Sequence, residues 1–385
     1  MPLQVHQSNQ TGNISRNAQT LGYGLLHRFG IAPVFDDLPD NQRGYAEQLF
    51  VDAECFGRYS MPDIARRALE LENIPFRSTD VGEVCRSAVS TSTLSDAFTL
   101  AINTTVQRTF EELADTTQGW VHEIEVDNFK DISSIEPGKM GTLDPLPPGG
   151  HASHKILGVT DMAGGYRLAR FAGQFMIDEM DMIDDRWDIL QRIPIEMASA
   201  AQRLRPDLIY SIVLDNPDLA DGDPLFHTNH ANLDTAGSVM SEDSLGGGMS
   251  KVAAHEVDGV PLGVLATHLI VPPALRFKAK RFVHGSETAE GDDLLVRAEP
   301  RLQNGVVDPI SKTKHAGSAT GWYMASSPIN ATSIEVAYLR GTGKMPVIRE
   351  YMLGPGQWGI GWDINLDIAA RAVGHRGIYK ATGEV

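Results

Sequence analysis

Apolar positions recur at three- and four-residue steps from Ile64 to Leu113 and switch to steps of two from Trp120. That change of period separates a helical region from an extended one. Ser60 is placed to cap a short helix, with Pro62 in its opening turn, Asp63 at the capping-box position and Ile64, Ala65, Ala68 and Leu69 as its apolar face. Asp80 and Glu83 open a second helix that carries Val84, Cys85 and Ala88. Thr93 is the expected cap of a longer one, whose stripe is Leu94, Ala97, Phe98, Ala101, Ile102, Val106, Phe110 and Leu113. Residues 1 to about 59 are weakly periodic and rich in turn formers such as Asp36, Asp37, Pro39 and Asn41. They read as an arm that becomes ordered only against something else.

From Trp120 the alternation His122 to Phe129 marks a half-exposed strand, and a second extended stretch runs from about His154 to Phe171. Between them, residues 136–150 are crowded with Pro and Gly. Together these make a long hairpin. A two-stranded hairpin is marginal alone in water, so one that projects must lie on a partner. Asp184 or Asp185 opens a long helical region, Arg186 to about Leu214, with Trp187, Leu190, Ile193, Met197, Ala200, Leu204, Leu208 and Ile212 in helical period. Pro194 and Pro206 are expected to kink or split it. Strands follow at Gly263–Val271, Ala331–Leu339 and Gly361–Ile368, with a helix from Pro273. The fold class is α+β, without internal repeats.

Length and charge narrow the picture. At 385 residues the chain exceeds a single core, so two or three lobes are expected. A net charge of −17 argues against a sequence-specific nucleic-acid binder. No run approaches the roughly 20 apolar residues of a membrane helix. The amino terminus lacks the pattern of a secretory signal, so the chain is expected to stay in the cytoplasm. Cys55 and Cys85 are too few for a disulfide framework and are expected to be small buried hydrophobes.

Candidate chemistry centres on Asp221-Gly-Asp-Pro-Leu-Phe-His-Thr-Asn-His-Ala-Asn-Leu233. His227 and His230, with Asp234 beyond, have the spacing of a zinc hydrolase, and a metal-dependent hydrolase is the alternative they support. Their Asp-, Pro- and Asn-rich flanks indicate a loop instead of the helix such enzymes use. The expectation is therefore that these side chains hydrogen-bond the loop's own backbone. His151 and His154, at the hairpin tip with the same spacing, are expected to be solvent-exposed or contact histidines and not ligands. Gly246-Gly-Gly248 reads as a flexible turn, and the acidic run 178–185 as charge before a helix start. No catalytic residue, metal or cofactor is expected.

Blocks in collinear order across residues 60–383 carry a resemblance: Ser90-Thr-Ser-Thr93, Val126-Asp-Asn-Phe-Lys130, Pro148-Gly-Gly-His151, Arg192-Ile-Pro194, the Asp221–Leu233 motif, Val271-Pro-Pro-Ala-Leu275, Ile334-Glu-Val-Ala337 and His375-Arg-Gly-Ile-Tyr-Lys380. In these the chain resembles the major head proteins of Mu-like prophages, including forms fused to a head-maturation protease. The resemblance implies a Hong Kong 97-type capsid fold. Its parts would be an N-terminal arm with short helices (1–93), an extended loop (121–172), a peripheral domain (94–120, 173–215, 356–385) around a spine helix, and an axial domain (216–355). It implies a major capsid protein that assembles into pentamers and hexamers of an icosahedral head around double-stranded DNA, bound without sequence specificity. Expected partners are copies of itself, a portal, and scaffold, maturation protease and decoration proteins. No membrane is expected, and the site of action is the virion, assembled in the bacterial cytoplasm. Pro147, Pro148, Gly149 and Gly150 would shape the loop tip, with Phe129 and Phe171 packing along its strands. Lys139 lies near that tip, but nothing in the sequence identifies crosslinking partners for it. A cargo-loaded encapsulin shell is the alternative within the same fold.

Overall fold

The computed structural model describes residues 15–33, 35, 38–77, 79–132, 135–137, 159–161, 165–236, 238–257, 260–285, 294–329, 331–342, 344–351, 353–354 and 358–384. Its helices are α1 (Arg16–Phe29), α2 (Asp40–Asp52), α3 (Met61–Leu71), α4 (Val81–Val89), α5 (Ser92–Glu112), α6 (Glu179–Ile183), α7 (Trp187–Asp215), α8 (Glu242–Ala253), α9 (Arg276–Gly285) and α10 (Pro300–Asn304). The strands are β1 (His122–Val126), β2 (Ile135–Pro137), β3 (Val159–Asp161), β4 (Ala169–Asp178), β5 (Leu233–Asp234), β6 (Glu256–Val257), β7 (Val260–Pro261) and β8 (Ala266–Val271). They continue with β9 (Leu295–Ala298), β10 (Val306–Val307), β11 (Lys314–His315), β12 (Trp322–Ser326), β13 (Ile334–Leu339), β14 (Val347–Tyr351), β15 (Gly359–Ala372) and β16 (Ile378–Ala381). The class is α+β, and the chain divides into two compact units.

The first unit comprises Met1–Ala114, Arg170–Arg203 and Leu339–Asp367. Its helices start where local chemistry supplies a partner for the free amide groups. Ser60 Oγ accepts from the Asp63 N–H at 3.3 Å while the Asp63 carboxylate accepts from the Ser60 N–H, closing the capping box of α3. Asp80 accepts from the Glu83 N–H at 3.1 Å to open α4. The cap of α5 is Thr91, not Thr93: Thr91 Oγ1 accepts from the Leu94 N–H. Thr93 already lies in the first turn, where its N–H donates to Glu72 at 2.8 Å.

Residues 16–58 differ from the arm read in the sequence. Ser15 caps α1, Gly30 ends it at φ 70°, and Leu21, Leu25, Leu26 and Phe29 are buried in one core with α3, α4 and α5. The pattern is hard to see because Gly22 and Gly24 interrupt it, and both are there for close approach. A Cβ at Gly24 would sit 2.5 Å from Phe56 Cβ, and one at Gly22 would sit 2.8 Å from Leu100 Cδ2. Trp362, from the first part of β15, completes this core. It is fully buried, stacks on Phe175 at 5.3 Å and donates from Nε1 to Thr99 Oγ1 at 2.9 Å.

A second correction concerns α7, which runs unbroken through both Pro194 and Pro206. Each proline costs one backbone hydrogen bond, but the buried face of Leu190, Ala198, Leu208, Ile209 and Val213 spans both positions and offsets that local loss.

The second unit comprises Asp115–Ala169, Leu204–Tyr338 and Ile368–Val385. One sheet has the order β5-β16-β12-β8-β9, parallel at its two outer pairings and antiparallel between. Every residue of β12 and all but one of β8 are buried, as expected of strands covered on both faces. Leu269, Val271, Trp322 and Met324 meet Leu245 and Val252 of α8 in the core. Elsewhere β1 pairs with β13, and β13 with the last residues of β15, from Ile334↔Ala372 to Tyr338↔Ile368. β2 and β3 pair antiparallel, Ile135 opposite Asp161 and Pro137 opposite Val159, and a bridge between Ile132 and Tyr166 continues that pairing. An Arg167–Asp131 ion pair closes over the same ladder.

Candidate functional site

The Asp221–Leu233 motif is a loop, and two asparagines hold it. Asn216, at φ 57°, ends α7, and its carboxamide accepts from the Phe226 N–H at 2.6 Å and donates to the Phe226 carbonyl at 3.2 Å. The Leu225 N–H donates to the Pro217 carbonyl, and Asp221 accepts from the Asp223 N–H at 3.2 Å to turn the chain. Leu225 and Phe226 are buried, and Phe226 packs on Tyr323 with ring centres 5.6 Å apart.

Asn232 is fully buried and joins the two ends of this region. Its Nδ2 donates to the carbonyls of Leu225 at 2.8 Å and His375 at 3.2 Å, and its Oδ1 accepts from the His227 N–H at 3.0 Å. Its backbone carbonyl accepts from the Lys380 N–H, beside the parallel β5–β16 pairing. Asn232→Ala removes the carboxamide from the buried Leu225 carbonyl, which keeps only His230 Nδ1, and from the partly buried His375 carbonyl and His227 N–H. Chemical denaturation should show a loss of about 1–3 kcal/mol, the cost of one buried group losing its partner, because the partly buried groups recover water. A loss below about 0.5 kcal/mol, the size of an ordinary surface change, would contradict that role.

The histidines of the motif go separate ways. His227 caps a single 3-10 turn, Thr228–His230, accepting at Nδ1 from the Asn229 N–H at 3.3 Å, so this ring serves the loop's own backbone as expected. Asp234 is engaged by Lys251 and by the Tyr379 hydroxyl, which donates to it at 2.6 Å. Burial alone would raise the Asp234 carboxyl, but these two partners hold it below its ordinary value. His227, His230 and Asp234 therefore do not converge as a hydrolase centre would need.

His230 instead turns inward to Asp221 and His375. Its Nε2 lies 2.9 Å from Asp221 Oδ2, its Nδ1 lies 3.4 Å from the Leu225 carbonyl, and its ring stacks on His375 at 4.0 Å and 5°. His375 Nδ1 is 3.9 Å from the same Asp221 oxygen. Burial, then the neighbouring His230, Arg376 and His255, pushes His375 down to about 3. For Asp221, burial is outweighed by the His230 hydrogen bond and the Asp223 N–H, which lower its pKa. His255 is lowered by burial and by Arg376. No spacing rule reaches this group, because His375 lies far along the chain and arrives through the β5–β16 pairing.

The remaining sequence-derived positions are resolved as follows. Pro147, Pro148, Gly149 and Gly150 lie outside the described residues, as do Lys139, His151 and His154. Phe129 is exposed, and Phe171 is half-buried on β4. Asp178 caps α6 by accepting from the Asp181 N–H at 2.9 Å, which explains part of the acidic run. Gly246–Gly248 is not a flexible turn: it lies within α8, which Ser241 caps, and a Cβ at Gly248 would sit 2.9 Å from the Tyr379 ring. Cys85 is buried and its thiol is pushed up to about 11 by burial and Glu179, whereas Cys55 is exposed, contrary to expectation. Cys55 lies on the solvent side of a 3-10 turn, Ala53–Arg58.

Among the described residues no helix is long and apolar enough to cross a membrane. No curated protein matches the chain. Among solved structures it is similar to the mature capsid of bacteriophage PhiM1, at 12% identity and a TM-score of 0.46 over 70% of this chain and 87% of that one. It is also similar to the holo-SrpI encapsulin complex of Synechococcus elongatus PCC 7942, at 9% identity and a TM-score of 0.42 over 69% and 85%. The capsid of cyanophage P-SCSP1u gives 9% identity and a TM-score of 0.42 over 68% and 86%. A family model described as phage capsid protein matches residues 163–381. With more than half of its length so matched, the chain belongs to the phage capsid protein family, structural proteins whose copies assemble into the capsid shell.

Proposed function

We propose that the chain is the major head protein of a tailed phage, built on the Hong Kong 97-type plan and tiling an icosahedral head as pentamers and hexamers around double-stranded DNA. The family match carries this reading. The mechanism is binding: apolar and hydrogen-bonding surface is completed only between copies, and permanent interfaces of this kind commonly bury more than about 2,000 Å². The paired strands β2 and β3 support a role for residues 121–172 as the extended loop laid over a neighbour, since two strands alone gain little stability in water. On this reading Phe129 and Phe171 pack along the loop, residues 147–150 shape its tip, residues 94–120 with 173–215 and 356–385 correspond to the peripheral part and 216–355 to the axial part, while α1 to α4 belong to the helical core and not to a free arm. The net charge of −17 suits an inner wall that does not adhere to packaged DNA. The further partners are a portal and scaffold, protease and decoration proteins, met in the host cytoplasm during assembly.

Replacing residues 137–150 by a short Gly-Ser link tests the clasp. The variant subunit should keep its far-ultraviolet circular dichroism and cooperative melting, yet negative-stain microscopy should show closed particles reduced by about tenfold or more, as expected when an interface loses about 1.4 kcal/mol per contact. Particles of normal number and shape would refute it. The contents of wild-type shells from producing cells bear on the larger reading: packaged DNA supports a phage head, and protein cargo without DNA would overturn it in favour of a storage compartment.

A further inference from the structure

Three side chains from two distant stretches of the second unit bring their ligand atoms within 4.8 Å of one another: the Asp221 carboxylate, His230 and His375. We propose that Asp221, His230 and His375 bind a divalent transition-metal cation of the zinc class, which clamps the 221–232 loop to the segment leading into β16. The inference does not depend on the shell reading.

Two imidazoles and one carboxylate are the donor set of borderline-soft cations. A tetrahedral ion with bonds of about 2.0–2.1 Å separates its ligand atoms by about 3.3 Å. The two separations here, 2.9 Å from Asp221 to His230 Nε2 and 3.9 Å from Asp221 to His375 Nδ1, bracket that value. The Leu225 carbonyl opposite His230 Nδ1 is the outer partner that fixes the tautomer leaving Nε2 free for a cation. Without an ion, Nε2 must carry a proton to bond Asp221; a cation replaces that proton between the same two atoms.

The surroundings agree. His255 closes the buried side, with 6% of its surface exposed; its Nδ1 accepts from the Gly377 N–H at 3.1 Å, while its Nε2 has no hydrogen-bond partner among the described residues. On the other side Asp221 is 46% exposed, which gives an entry path and leaves a fourth position to water. The stacked rings set one condition. Stacked parallel imidazoles hold their lone pairs in separate planes that one cation cannot share, so His375, the less buried of the two, must tilt out of the stack on loading.

The experiment uses the full chain, stripped with chelator and titrated with zinc chloride. One zinc per chain should bind, and the melting temperature should rise with zinc. Asp221→Asn and His375→Gln should each weaken binding by about tenfold or more and abolish the rise, whereas His227→Gln in the same loop should behave as wild type. Histidine-selective nitrogen NMR on wild type provides a second readout: zinc should shift the ring resonances of His230 and His375 and leave that of His227. Absence of binding at ~100 µM free zinc, far above a useful site's midpoint, would overturn the proposal. Equal binding by folded Asp221→Asn and His375→Gln would overturn it too, as would unmoved His230 and His375 resonances.

Discussion

Replacing Arg205 by methionine is expected to cost the folded subunit about 3–5 kcal/mol, the usual result of stripping one partner from a buried ion pair. Arg205, near the start of the second unit's share of α7, has a side chain only 12% exposed. Its Nε lies 3.0 Å from Asp115 Oδ2 and donates to Thr117 Oγ1 at 2.8 Å, and Nη1 reaches Glu123 and the Tyr338 hydroxyl. Burial disfavours the charge, but Tyr338, Asp115 and Glu123 together raise the guanidinium pKa, so it stays protonated at every working pH. Asp115 bears the loss, since its side chain is 2% exposed and cannot recover water. The Thr117 N–H and Oγ1–H still donate to it, which holds the cost near the lower end. Urea unfolding of the purified subunit reads this directly. Arg205→Met combined with Asp115→Asn should recover at least half of the loss, because no buried charge is then left alone. A single variant within about 1 kcal/mol of wild type, the worth of an exposed pair, would show that the pair is effectively solvated.

Trp362→Ala should cost the first unit a similar amount, about 3–5 kcal/mol for a fully buried aromatic. The indole fills the space between Phe175, stacked at 5.3 Å, and Phe98, edge-on at 6.3 Å, so alanine leaves a cavity walled by two rings. The Nε1–H donates to Thr99 Oγ1 at 2.9 Å, a smaller part of the total. Trp362→Phe separates the two contributions, keeping most of the volume while losing the hydrogen bond. It should cost about 1–2 kcal/mol, the bond plus imperfect filling. Calorimetry of the three proteins checks the order. If phenylalanine and alanine were equally costly, the hydrogen bond and not the packing would dominate.

What the sequence made legible was local. Ser60 with Asp63, and Asp80 with Glu83, announce helix starts because donor and acceptor lie within one turn, and the Leu94-to-Val106 stripe needs no distant information. The misreadings arose where remote packing outweighs a local rule. Gly22 and Gly24 look like helix breakers until Leu100 and Phe56 are seen against them, and Gly246–Gly248 looks like a turn until the Tyr379 ring appears over Gly248. Pro206 is tolerated for the same reason, since Leu208, Ile209 and Val213 are buried just beyond it. The histidine group is half legible. The motif pointed to His230, and its loop reading held for His227, but Asp221 and His375 become neighbours only through sheet pairing that no spacing encodes. Trp362 and Arg205 carried no signal, because a lone tryptophan or arginine is equally at home in many settings.

The unequal fates of the two thiols have a practical result. Cys55 faces solvent, while Cys85 is sealed in the helical core and its sulfur resists ionisation. A maleimide dye offered to the free subunit at neutral pH is therefore directed to one atom, giving a single fluorescent reporter per polypeptide without engineering.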